Sequence, residues 1–248
     1  MSKKEEVFGL HSVAAILEHA PTRVLELFVQ KEKTQDTVQP VVDLAKKAGI
    51  RPQFCLKKTL DQRADGGNHQ GVLVVVQPAP QLTESALPDL VDNAAGAPLF
   101  LVLDQVTDPH NLGACLRTAD AAGVTAVIVP KDKSAALNST VRKVASGAAE
   151  IVPFVVVTNL ARALKDLQQL GVWIYGTAGE ATTSVYQHDY KGPVAFVMGA
   201  EGTGMRRLTR EHCDELISIP LQGTVSSLNV SVATGVTLFE AVRQRSSM

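Results

Sequence analysis

Short apolar runs, nearly all unbroken, punctuate most of this 248-residue chain: Leu99 to Leu103, Ala126 to Val129, Val152 to Val157, Val172 to Tyr175, Val194 to Met198 and Leu216 to Ile219. A strand with one face in water alternates apolar and polar residues, so runs of this kind need cover on both faces. Between them lie stretches with helical spacing, Leu112 to Ala122, Ala136 to Ala145 and Leu160 to Leu170. Parallel strands need crossovers of that length, and helices in the crossovers supply the cover. The expected fold class is therefore α/β, with a largely parallel sheet of about six strands.

The first residues carry a smaller version of the same alternation. His11 to His19, Val38 to Lys47 and Lys58 to Ala64 read as helices, and Val24 to Val29, Arg51 to Cys55 and Gly71 to Val76 as strands. Ser12 is a plausible N-cap for the first helix. The loop from Gly66 to Gly71 holds Asn68, His69 and Gln70, a composition that suits either a solvated turn or an RNA contact. Gln77-Pro78-Ala79-Pro80-Gln81 lacks two backbone donors and has two fixed φ angles, so it reads as an extended spacer. The expected organisation is a small α/β domain over residues 1–76, a linker over 77–97 that includes the amphipathic Leu87 to Val91, and a larger domain over 98–248.

Within the larger domain, Pro193 to Ala233 contains two strand-to-loop transitions. One strand runs into Gly199-Ala200-Glu201-Gly202-Thr203-Gly204, and the next, Leu216 to Ile219, runs through Pro220 and Gly223 to Ser226-Ser227-Leu228-Asn229 at the head of a long helix. Ligands of open α/β sheets bind beyond the carboxyl ends of the strands, so these loops mark the candidate cofactor pocket. A dinucleotide fingerprint is excluded because the glycine spacing is Gly-x-x-Gly-x-Gly late in the chain. A phosphate-binding P-loop is excluded because Met205-Arg206 follows the last glycine.

Several function classes fall to composition. Apolar residues make up 45% of the chain and charged residues 20%, and no window of about 18 apolar residues suggests a membrane span. The polar start, Met1 to Glu6, lacks the apolar core of a secretion signal, so a cytoplasmic location is expected. Cys55, Cys115 and Cys213 are far apart and the six histidines form no ligand spacing, so reduced thiols and no metal are expected. The net charge of −1 leaves any nucleic-acid contact to a local basic face.

Single residues support bland readings as well as sharp ones. Asn111 suits the cap of the helix that follows it and Arg117 a surface contact; Ser226, Ser227 and Asn229 suit the cap of the last helix. Arg206, Arg207 and Arg210 suit a solvated face or a phosphate contact. Taken in order, however, Asp108-Pro109-His110-Asn111-Leu112-Gly113 followed by Arg117, then Met198-Gly199-Ala200-Glu201-Gly202, then Ile219-Pro220 with Ser227-Leu228-Asn229-Val230-Ser231, resemble the three motifs of the SpoU/TrmH family. These are 2′-O-ribose RNA methyltransferases of the SPOUT class, and the resemblance extends from about Val7 to Arg245.

The resemblance implies a deep trefoil knot in the larger domain, a ribosomal-protein-like RNA-binding module in the smaller one, and a homodimer. It implies S-adenosylmethionine as cofactor, held around Gly199, Ile219 and Leu228. It also implies Asn111, Arg117, Glu201, Ser227 and Asn229 as catalytic residues. The expected substrate is 23S rRNA, at a guanosine of the peptidyl-transferase P loop, with a tRNA ribose methyltransferase or a non-catalytic rRNA-binding assembly factor as alternatives. A guanidinium does not release its proton at neutral pH, so Arg117 is expected to stabilise the developing alkoxide and the neighbouring phosphate. A bidentate pair with Glu201 is expected to set the Arg117 guanidinium plane.

Overall fold

Val72–Val76 is buried at every residue, and a strand covered on both faces has to sit inside a sheet. In the computed structural model, which describes residues 4–31 and 35–246, it is the fourth strand of a small mixed sheet. The elements in order are β1 (Glu5–Phe8), α1 (Leu10–His19), β2 (Val24–Gln30), α2 (Gln35–Lys47), β3 (Pro52–Cys55), α3 (Lys57–Arg63) and β4 (Val72–Val76). The sheet order is β1-β4-β2-β3, with β3 at an edge and parallel to β2. One face is closed by α1 and α2 over Leu27, Val29, Val72 and Val74; the other packs Phe28, Leu73 and Val75 against Leu60 of α3.

Two local expectations change. The cap of α1 is Gly9, at φ 95°, and Ser12 lies buried inside the helix. Only glycine adopts that φ without strain. The polar loop is held from within: His69 is buried, its Nδ1 accepts from the Gly71 N–H at 3.0 Å, and its Nε2 lies 3.0 Å from Asp61 Oδ1. Gln70 Oε1 accepts from the Leu10 N–H at 3.1 Å. These bonds make the loop a built turn.

The remaining elements are α4 (Leu87–Asp92), β5 (Leu99–Asp104), α5 (Pro109–Ala121), β6 (Ala126–Pro130), α6 (Ser139–Ala145), α7 (Ala148–Ile151), β7 (Phe154–Val157), α8 (Leu160–Gln169), β8 (Trp173–Thr177), β9 (Thr183–Ser184), β10 (Val194–Gly199), α9 (Arg207–Glu211), β11 (Glu215–Ser218) and α10 (Val230–Ser246). Cα positions fall into two compact units: residues 1–80 with 142–151, and residues 81–141 with 152–248. Residues 82–92, read from sequence as linker, are built into the larger unit. Leu82 bridges Val155 and Leu87 is fully buried in its core.

Residues 142–151 join the smaller unit through charge. Glu150 is buried there with Arg142 as an ion-pair partner and Arg23 at 3.6 Å; Arg142 also meets Glu5 at 2.9 Å. Desolvation pulls both arginines below their ordinary pKa, the expected effect of burial on a cation. Glu150→Gln keeps the volume and removes the charge that two buried guanidiniums share, so it is expected to cost about 2 to 3 kcal/mol. Urea unfolding followed by circular dichroism checks this; a midpoint equal to wild type contradicts it.

The larger sheet has seven strands in the order β7-β6-β5-β10-β8-β11-β9, and every pairing is parallel. The α/β class and its largely parallel sheet are as the sequence implies. Phe100, Val102, Ile128, Val155, Ala195 and Val197 form one core with α8. Parallel strands end on the same side, so the loops after β5, β10, β8 and β11 gather at one edge. Among the described residues no helix is long and apolar enough to cross a membrane.

Candidate active site

The glycine loop after β10 is closed on itself. Ala200 and Gly204 exchange backbone hydrogen bonds at 3.1 and 2.9 Å, and Gly202 and Gly204 take φ of 78° and 66°. A Cβ on Gly199 would lie 2.3 Å from the Gly204 carbonyl carbon and the Met205 nitrogen. Only glycine fits there. The far end of the loop is fastened by Asp104, a fully buried carboxylate at the end of β5. Its Oδ2 accepts from the Arg206 backbone N–H at 2.8 Å and its Oδ1 from the Arg206 Nε at 2.7 Å. Sequence reasoning missed this role, although an acid closing a fully apolar strand is its signal.

Beside the loop opens a cavity of about 510 Å³. Gly199, Ile219 and Leu228, the three expected cofactor contacts, line it together with Glu201 and Ser227. Its apolar wall includes Met198, Ile217 and Leu221. Glu180 and Arg210 also line it and form an ion pair, and the Arg210 hydrogen bond holds the Glu180 carboxyl below the usual range.

Glu201 joins the cavity to the rest of the site. Its Oε1 accepts from Asn229 Nδ2 at 2.5 Å, from Asn111 Nδ2 at 3.3 Å and from the Val230 N–H at 3.3 Å. Asn229 Nδ2 also donates to Asn111 Oδ1 at 2.9 Å. One residue from each of the three motifs thus meets the other two, across 90 and 118 residues of sequence. Asn111 is free to do so because Asp108 caps α5, accepting from the His110 N–H at 3.0 Å. Asn229 serves both readings, since its Oδ1 also accepts from the Ser231 N–H at 2.9 Å at the head of α10.

Two expectations are corrected. Glu201 does not pair with Arg117; the Arg117 side chain is exposed and has no hydrogen-bond or ion-pair partner among the described residues. The two asparagines take the carboxylate oxygen instead. Nor do the three arginines after the loop stand unpaired: Arg206 is held by the buried Asp104, and Arg207 and Arg210 form exposed ion pairs with Glu211 and Glu180. Burial pushes the Cys115 thiol up to about 11 and the Cys213 thiol up to about 12, so neither is a nucleophile at neutral pH. Among the described residues no three His, Cys, Asp or Glu side chains converge as metal ligands would.

Residues 98–239 match the model of the SpoU rRNA Methylase family, with the interlocked motif residues inside that range. The chain belongs to this family. Residues 7–82 match a second model, RNA 2′-O ribose methyltransferase substrate binding. Among curated relatives, the chain is 61% identical to the 23S rRNA (guanosine-2′-O-)-methyltransferase RlmB of Haemophilus influenzae, over 97% of this chain and 98% of that one. Among solved structures, an AdoMet-bound rRNA methyltransferase from Sinorhizobium meliloti is 25% identical, with a TM-score of 0.75 over 97% of this chain and 87% of that one. The SpoU methyltransferase AviRb of Streptomyces viridochromogenes, solved with AdoMet, shares the fold at a TM-score of 0.80 and 24% identity, over 99% of this chain and 92% of that one.

Proposed function

We propose that this chain is an S-adenosylmethionine-dependent methyltransferase of the ribose 2′-hydroxyl of a guanosine in 23S rRNA, and that the guanosine lies in the peptidyl-transferase P loop. The observation that carries this reading is the meeting of Asn111, Glu201 and Asn229 beside the glycine-loop cavity. The identity to an rRNA guanosine methyltransferase over nearly the whole of both chains supports the substrate.

The cavity fits the cofactor. Its volume lies within the usual range for small-molecule sites, about 300 to 1,000 Å³. Gly199, where the close approach of the Gly204–Met205 backbone requires glycine, starts the loop that walls the cavity, and Ile219 and Leu228 supply apolar cover for a base. The Glu180 and Arg210 pair offers one charge of each sign to the amino-acid end. When bound, S-adenosylmethionine supplies a methyl group on a positively charged sulfur, which the ribose oxygen displaces in line.

The protein's own part is to position and to polarise. Asn111 and Asn229 occupy Glu201 Oε1, which leaves Oε2 as the acceptor for the incoming hydroxyl. Ser227, on the cavity wall, helps to seat the ribose. Arg117, without a partner among the described residues, neutralises the alkoxide as it forms and holds the adjacent phosphate. Residues 1–76 bind the RNA, a role supported by the substrate-binding model over 7–82. Methyl transfer from labelled cofactor to 23S rRNA and to tRNA transcripts tests this reading; label in tRNA alone, or in neither, contradicts it.

We also propose that the protein acts as a homodimer. Val232 and Phe239, about half exposed, share one face of α10 with the partly exposed Val236, an apolar seam on what is otherwise an outer helix face. A second copy covering this seam follows the family resemblance, and Phe239→Asp is expected to give a monomer by light scattering, whereas an unchanged mass would place any interface elsewhere. The position of β10 between β5 and β8, with α10 returning onto α5, supports the family's deep trefoil knot. An rRNA substrate supports action in the cytoplasm.

A further inference from the structure

The smaller unit presents an exposed aromatic ring and three exposed lysines at one end of its sheet. Phe54, on the edge strand β3, is 57% exposed, and Leu56, two residues on at the N-cap of α3, is 58% exposed. An edge strand with bare apolar side chains is a liability that proteins ordinarily blunt with charge or cover. Lysines stand at the same strand ends: Lys57 and Lys58 open α3, three and four residues after Phe54, and Lys31 follows β2. Because β2 and β3 are parallel, their ends coincide, and the Lys31 N–H donates to the Cys55 carbonyl at 2.9 Å.

All three lysines are exposed, and none has a carboxylate partner among the described residues. Another cation of α3 behaves differently. Arg63 is spent internally, on Glu6 at 2.6 Å and over the Phe28 ring at 4.2 Å. Lys57 and Lys58 also sit in the first turn of a helix, where the macrodipole disfavours positive charge and no acidic residue shares that turn. Local stability therefore does not explain them. The same end of the sheet carries the turn from Gly66 to Gly71, since the Gln30 N–H donates to the Gly71 carbonyl at 2.8 Å.

We infer that Phe54, with Lys31, Lys57 and Lys58, forms a docking surface for an unpaired stretch of the substrate RNA, one base stacking on the Phe54 ring while the ammonium groups take the flanking phosphates. Charge complementarity selects a polyanion, and the exposed ring selects one with open base faces, which a duplex lacks. The inference rests on the rRNA reading above and adds where the smaller unit grips its substrate.

The test uses the full-length chain and a fluorescein-labelled 23S rRNA fragment containing the P loop, with a fully paired RNA duplex as comparison, and reads anisotropy over a salt series. Phe54→Ala is expected to weaken binding of the fragment by about 5- to 150-fold, the range that loss of one base–aromatic stack gives, and Phe54→Tyr to retain it. The double variant Lys57→Ala/Lys58→Ala is expected to reduce the salt dependence by about 1.4 in log–log slope, from about 0.7 per lost phosphate contact on a single strand. Cofactor affinity and the single-turnover rate at saturating RNA stay at wild-type values. Because the ring is exposed, the unfolding midpoint stays put as well.

Wild-type affinity and slope in these variants, with methylation intact, overturn the surface and leave the methyltransferase reading standing. An equal loss on the duplex overturns the stacking role. A changed mass by light scattering with unchanged RNA affinity makes the patch a protein contact and overturns the inference. A wild-type chain that neither binds nor methylates the fragment removes the functional reading itself.

Discussion

Arg117→Ala is expected to slow single-turnover methyl transfer by about 10³-fold while S-adenosylmethionine affinity stays close to wild type. The size follows from removing one preorganised charge aimed at a developing oxyanion, which typically costs 10² to 10³ in rate, about 2.7 to 4 kcal/mol. The selectivity follows from geometry: Arg117 is not among the residues lining the cavity, and it has no partner inside the protein among the described residues whose loss would disturb the fold. Rapid-quench kinetics and calorimetry on one preparation separate the two quantities. Near-normal turnover would remove Arg117 from the mechanism.

Glu201→Ala is expected to come next, lowering the rate by about 10²-fold or more, because three donors lose their shared acceptor. Asn111 and Asn229 would remain bonded to each other at 2.9 Å but with no common anchor on the glycine loop. Glu201→Gln retains an oxygen that can stay with the same donors, and it loses mainly the charge assistance, which is about half the strength of such bonds. It should therefore fall between alanine and wild type. A glutamine variant as inactive as alanine would mean that the charge, acting on the hydroxyl through Oε2, matters more than the acceptor network.

The larger sheet was legible in the sequence because its central strands β5, β6 and β10 are buried on both faces, and such runs have no other home. Strand β1 was not, since Glu5 and Glu6 lie ahead of the buried Val7 and the strand has only four residues; β9 has two. The motif residues were legible by their order and resemblance, but their mutual contacts were not, because those span much of the chain. The same distance hid the fate of Arg206 and Arg210. Their partners Asp104 and Glu180 lie 102 and 30 residues away, and a run of arginines looks free until its carboxylates are found. Residues 142–151 gave no local sign either, as what holds them is the buried meeting of Glu150 with Arg23 and Arg142.

The most direct test of the account is a nucleotide-resolution map of ribose methylation in 23S rRNA and tRNA from cells with and without the gene for this chain. Without the gene, a single guanosine of the peptidyl-transferase P loop is expected to lose its 2′-O-methyl group while tRNA is unchanged, and wild type but not Arg117→Ala is expected to restore the mark. An unchanged 23S rRNA map, or a loss confined to tRNA, would contradict it.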